Sequence, residues 1–169
     1  MGNFITKLNV LSVSFMLFAF GAVAQSQASE PVQTEPQGHI MLLPSDLKWV
    51  DAPNSLPPGA KVAILEGDPS KPGPYTMRIK MPANYKIMPH WHPDIEHVTV
   101  LEGEFYMGKG DVLEEMKAMA LPVGGFSAIP IKAHHYAFTK SKPAIIQLHG
   151  IGPFDIIYLD PANDPRKKK

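Results

Sequence analysis

The stretch from His90 to Gly103 reads HWHPDIEHVTVLEG, with three histidines, Asp94 and Glu96 inside eight positions. Imidazole nitrogens and carboxylate oxygens hold divalent first-row metals, and a chain without cysteine must use these donors for any metal it binds. Side chains alternate faces along a strand, so residues of one parity point together. His90, His92, Glu96, Val98 and Val100 share a parity, and inward-facing valines would carry both histidines and the glutamate to the same interior wall. His97 and Thr99 fall on the opposite face, while Pro93-Asp94 is where a bulge would break the register. Buried imidazole and carboxylate are costly unless paired or metal-bound. This wall therefore predicts one divalent transition metal (Fe, Mn, Ni, Cu or Zn), with a third imidazole needed to make four protein ligands.

The elements that must position these groups are short. KVAILEG, YTMRIKM, IEHVTVLEG, EFYMGKG, GFSAIP, HHYAFT, AIIQLHG and FDIIYL are strand-length, rich in β-branched and aromatic residues, and separated by Pro and Gly. In YTMRIKM, Tyr75, Met77, Ile79 and Met81 alternate with Thr76, Arg78 and Lys80, a strand with one buried face and one wet one. Eight such strands would leave exposed edges in a single flat sheet, so the sequence predicts closure into an all-β barrel or double-sheet jelly roll. VLEEMKAMAL, at 112–121, has enough helix formers to predict a short helix of two or three turns.

GGFSAIPIKAHHYAFT, residues 124–139, offers the further imidazole, and here the chain resembles the cupins. His90-x-His92-x3-Glu96-x6-Gly103 matches the second half of the family's first motif at every spacing, and Gly124-x5-Pro130-x4-His135 matches its second. The gap between them, 104–123, has a length small single-domain cupins tolerate. The resemblance covers about Lys61 to Tyr158, and HYAFT, QLHGIGPFDIIYL and DPANDPR are similar to a group of small exported bacterial cupins. It implies a cupin double-stranded β-helix in which His90, His92, Glu96 and His135 bind one metal. Asn84, Lys132 and Thr139 stand where the motifs have Gly, Gly and Asn, which bears on loop geometry rather than on ligand identity.

Other candidates are weaker. Alternation turns His134 away from its neighbour, although a slipped register would exchange the two. Gln147 and His149 share parity on AIIQLHG and are candidate pocket residues, the histidine as a support or proton shuttle against a purely structural role. The methionines and strand aromatics read as core packing, and His39 as solvated.

The chain has 169 residues. It opens with Lys7, an apolar run and Ala22-Val23-Ala24, the order of a secretory signal peptide cut after Ala24 or Ala28. An uncleaved anchor is the rival reading, weakened by Asn9, Ser12 and Ser14 within the run; the fit of MGNFIT to a myristoylation pattern reads as chance. The expected organisation is a signal peptide at 1–24, a flexible linker at 25–38, a domain with an N-terminal arm at 39–160, and a basic tail at 161–169. Removal of 1–24 leaves 145 residues, enough for one core. Without the terminal RKKK the mature body carries 11 basic against 16 acidic residues, which excludes the electrostatic footprint of a nucleic-acid binder. The tail reads as solvated, with lipid contact weakly supported. The expectation is a periplasmic or secreted protein with a small-molecule substrate or ligand, no stable membrane insertion after signal cleavage, and a homodimer as an open question.

On function, the resemblance implies a mononuclear metal enzyme oxidising a small enol-, diol- or carboxylate-bearing substrate, with Glu96 as both ligand and general base. The alternatives are a non-redox lyase or isomerase, and a metal- or ligand-binding sensor module without catalysis.

Overall fold

A computed structural model describes residues 1–2 and 38–167. The expected signal peptide and nearly all of the linker fall on residues 3–37, outside the described residues, as do Lys168 and Lys169. Gly38–Lys169 form one compact unit. Among the described residues no helix is long and apolar enough to cross a membrane.

Among the described residues, eleven strands form two antiparallel sheets. One is ordered β1 (Val50–Asp51), β2 (Lys61–Glu66), β3 (Gly73–Met81), β10 (Ala144–Gly152), β5 (Glu96–Gly103), β8 (Phe126–Ile129). The other is ordered β11 (Ile157–Tyr158), β4 (Lys86–Trp91), β9 (His135–Phe138), β6 (Phe105–Lys109), β7 (Met119–Leu121). This is a jelly roll, and the alternation read from YTMRIKM holds: Tyr75, Met77, Ile79 and Met81 are buried in the space between the sheets. Val98 and Val100 from β5 and Ile146 and Leu148 from β10 meet them there. Each such side chain stabilises the closed form by about 1.5–3 kcal/mol relative to exposure.

The expected helix at 112–121 is absent. Its residues form a single 3₁₀ turn at Glu115–Lys117 and then β7, where Met119, Ala120 and Leu121 pair with Met107, Tyr106 and Phe105. Leu121 gains burial from that pairing, and tertiary contact outweighs the modest helix propensity of the segment.

The arm is tied down in four ways. Val50–Asp51 pairs with β2, Leu56 is buried in the core, and the Tyr158 hydroxyl donates to the Ser55 carbonyl at 2.9 Å. Tyr85 likewise donates to the Pro57 carbonyl.

The motif departures have a backbone reading. Asn84 (φ 57°) and Lys132 (φ 60°), which stand where glycines were expected, both adopt left-handed backbone. Gly103 keeps its glycine for a steric reason. At φ 76° a Cβ there would lie 2.0 Å from the Pro143 carbonyl oxygen, closer than any contact allows.

Candidate metal centre

His90 lies in β4, paired directly with His135 in β9. His92 follows the end of β4, a turn at Pro93-Asp94 reverses the chain, and Glu96 begins β5 in the other sheet. The two histidines and Glu96 therefore do not ride one continuous strand, as the parity argument assumed. They meet because strands of both sheets converge at this end of the barrel, with their inner faces turned to a common interior. All four side chains are buried, at 3% exposure for His90 and His92, 6% for Glu96 and 4% for His135.

Each of the three imidazoles is oriented by main chain. The Nδ1 atoms of His90, His92 and His135 lie 2.7, 2.7 and 3.0 Å from the carbonyl oxygens of Met88, Asp155 and Ala133. Carbonyls accept only, so Nδ1 carries the proton and each Nε2 is left as the donor atom facing inward, the tautomer a metal needs. One ring nitrogen from each histidine falls in a group whose members all lie within 4.8 Å of one another. The His92 Nε2 is buried without a well-formed hydrogen bond, a costly state for a polar atom and one that a bound cation relieves. Glu96 Oε2 stands 3.4 Å from His92 Nε2 and 3.8 Å from His135 Nε2. The three histidines can hold a metal ion, and the donor set suits a divalent first-row ion.

Electrostatics sort the same residues. Burial, reinforced by the neighbouring His135 and His92, pushes His90 well below its ordinary pKa, and burial also lowers His135. For His92 burial acts downward too, but the Glu96 carboxylate outweighs it and the net shift is upward. Burial would raise Glu96, yet the charge of His92 and then of His135 holds it below the usual carboxylate range. Glu96 is thus the group that favours a proton on His92, while burial disfavours one on His90 and His135.

The support behind His92 extends to a residue that the sequence reading left in solvent. Arg166 is no free tail charge: it donates from Nη1 to Asp155 Oδ1, from Nη2 to the Ile156 carbonyl and from Nε to Asp164 Oδ1, each at 2.8 Å. Asp155 is the residue whose carbonyl fixes His92, so Arg166 anchors the loop that aims a candidate ligand. Phe154 in the same loop stacks on the His92 ring, centroids 5.1 Å apart. The segment DPANDPR carried this signal, an arginine among acids, but nothing in it specified the partner.

Gln147 and His149 do not line the interior, and that expectation is corrected. The inward residues of β10 are Ala144, Ile146 and Leu148, so the opposite parity places Gln147 and His149 on the outer face. There Gln147 accepts from Arg78 Nε at 3.1 Å, and His149 stacks on His97 with centroids 4.6 Å apart. His97 faces away from the site, as parity predicted, and His134 points outward to Asp111 at 2.7 Å.

Residues 37–153, well over half the chain, match the family described as ChrR cupin-like domain. The chain belongs to this cupin family. Solved cupins share the fold. The polyketide cyclase RemF from Streptomyces resistomycificus is 17% identical, with a TM-score of 0.60 over 74% of this chain and 88% of that one. An RmlC-like cupin from Ralstonia eutropha JMP134 is 19% identical, with a TM-score of 0.53 over 72% and 73%. The DMSP lyase DddQ from Ruegeria pomeroyi DSS-3 is 18% identical, with a TM-score of 0.51 over 64% and 57%. At these identities the likeness is one of fold. No curated protein matches the sequence.

Proposed function

We propose that this cupin is a mononuclear metal-dependent enzyme acting on a small oxygen-bearing substrate, with dioxygenase-like oxidation as the leading chemistry. The observation that carries the reading is the set of three Nε2 atoms preset by backbone carbonyls, one of them buried without a well-formed hydrogen bond, beside a carboxylate held below its usual pKa range. A bound divalent ion (Fe, Mn, Ni, Cu or Zn) would polarise and acidify a coordinated oxygen group. His90, His92 and His135 would hold it, and Glu96, 3.4 Å from the nearest histidine nitrogen, would complete the ligand set or take a proton from the substrate. The apolar walls around the site, including Val98, Phe105, Ile146 and Leu148, exclude water and strengthen each of these interactions.

A second reading, a non-redox lyase or isomerase, is favoured by one feature. Glu96 is not one of the three grouped donors, and its carboxylate, 3.4 Å from His92 Nε2, can act as a base without any electron transfer. Metal analysis of the purified protein, then oxygen uptake against a panel of diols and enols, separates the two. Oxygen consumption with Fe, Ni or Cu bound supports oxidation; none with the redox metal in place moves the assignment to the lyase reading. A site that loads no metal overturns both.

The proposal includes export to the periplasm or beyond after removal of residues 1–24, supported by the order of charged, apolar and small residues in that segment. Its partner is a small molecule, and the oligomeric state belongs to the same tests, a homodimer being the form to look for.

A further inference from the structure

The chamber enclosed by the three histidines, Glu96 and their apolar neighbours holds only about 20 Å³, the room of one ion or one water. A substrate that reaches the histidines must keep most of its atoms elsewhere. A cleft of about 470 Å³ adjoins the chamber, and Met107 and His135 line both. The topology explains why it is open. β7 is the edge of one sheet, β8 the edge of the other, and no ladder joins them. Across this seam the inward residues of β6 and β7, Met107 opposite Met119, face Ser127 and Ile129 of β8. Met119 remains 68% exposed, so the seam presents an apolar wall to solvent at the doorway of a polar centre, the usual build of a small-molecule site. Its charges are few. His134 is already matched by Asp111, whereas Lys109, paired with His135 across β6 and β9, is exposed and has no acidic partner among the described residues.

We propose that the β7–β8 seam is the substrate cleft, that it takes a small carboxylic acid with an apolar body, and that Lys109 selects the carboxylate. The inference rests on the reading of the histidines as the reaction centre, and it adds the substrate class. The apolar body lies along Met107, Met119 and Leu121, and the flexible thioethers of the two methionines adapt to its shape. The carboxylate end lies at the cross-strand pair of Lys109 and His135, where the Lys109 ammonium, a compact point charge on a long stem, meets it.

The test titrates 3-phenylpropionate and its neutral amide into the full chain by calorimetry, metal-free and cobalt-loaded. The acid is expected to bind both forms more tightly than the amide does. Lys109→Gln weakens the acid about threefold to fivefold, the range of an exposed charge pair, and leaves the amide unchanged; Lys109→Arg restores the acid. Ser127→Phe and Met119→Trp fill the cleft from opposite sides and remove binding of both probes, with cobalt stoichiometry unchanged. Met119 lies at an exposed edge, so its variant keeps the test decisive if Ser127→Phe misfolds. Unchanged acid affinity in a folded filled variant overturns the cleft, and equal binding of acid and amide overturns the role of Lys109. If cobalt fails to load while the probe still binds and is blocked, the cleft stands and the metal reading falls. If cobalt loads and no probe binds, the cleft is wrong.

Discussion

The inner and outer walls of this barrel each carry histidines, and only the inner set is arranged for coordination. His90, His92 and His135 have their Nδ1 atoms on main-chain carbonyls and their remaining nitrogens gathered within 4.8 Å. On the outside, His97 and His149 lie ring on ring, 4.6 Å apart at 21°, and His134 turns to Asp111. Stacked rings aim their nitrogens edgewise, parallel to one another, whereas a metal needs nitrogens that converge. The difference lies in what holds the far side of each ring and which wall the strand turns inward, since the residue type is the same. A histidine count is therefore a poor guide to a metal centre, and main-chain carbonyls at the right positions are a good one.

The largest test of that contrast is His135→Ala, expected to abolish stoichiometric metal and lower affinity by more than about 100-fold, beyond the range of supporting residues. His97→Ala and His149→Ala should leave metal content unchanged. Elemental analysis after dialysis checks both, and full occupancy in the His135 variant would break the distinction between the walls.

Next in size, Glu96→Gln removes the counter-charge of His92. The metal-free protein should lose about 1–3 kcal/mol, read as a lower Tm, while the metal-loaded protein loses less. Equal losses in the two forms would mean that the carboxylate contributes packing alone.

A third test is proton-linked. Glu96 is held below its ordinary 4.5, so the stability its ionised form contributes is complete above that pH and is lost as pH falls through the folded value. His92, raised above 6.5, contributes stability that is full below 6.5 and lost as pH rises through its folded value. His90 and His135, lowered from 6.5, act the other way and cost stability as pH falls through that region. Metal must displace any proton held on His92, so binding should release protons and tighten as pH rises through the folded value of His92. Calorimetry in two buffers of different ionisation enthalpy measures the release. Glu96→Gln should reduce it, and His149→Ala should not.

Arg166→Ala sharpens the comparison from behind. It leaves all ligand atoms in place and loosens only the loop that carries the Asp155 carbonyl, so metal affinity should fall about tenfold. No change would show that the Ile156 and Phe154 packing holds the loop alone. The smallest effect is expected at Lys132→Gly, which relieves left-handed backbone but adds unfolded-state entropy and removes a cation 5.9 Å from the Trp91 ring, for a net change under about 1 kcal/mol in thermal melts.

Much of this arrangement is legible in the sequence, for a physical reason. Burial on one face imposes period-two alternation, and β3 and the Val98–Val100 stretch display it openly. The grouping of His90, His92 and Glu96 followed from parity even though a turn separates them, because the chain leaves one sheet and enters the other with the same residues turned inward. Parity gives membership of a face and not its direction. On β10 both faces carry apolar residues, Ile145 and Ile151 outside and Ile146 and Leu148 inside, so Gln147 and His149 were turned the wrong way. The 112–121 segment misled because its helix formers are overruled by an edge pairing with β6. The short β4, KIMPHW, was missed because Pro89 interrupts its pattern.

Arg166 has a consequence for the order of events in the life of the chain. The ring of His92 is aimed by a loop whose anchor is seventy-four residues downstream. A nascent chain that has not yet produced residue 166 therefore lacks the anchor of that loop, even with all four candidate ligands already made. On the proposed reading, the site would reach full metal affinity only on a completed chain, so loading would favour the finished fold.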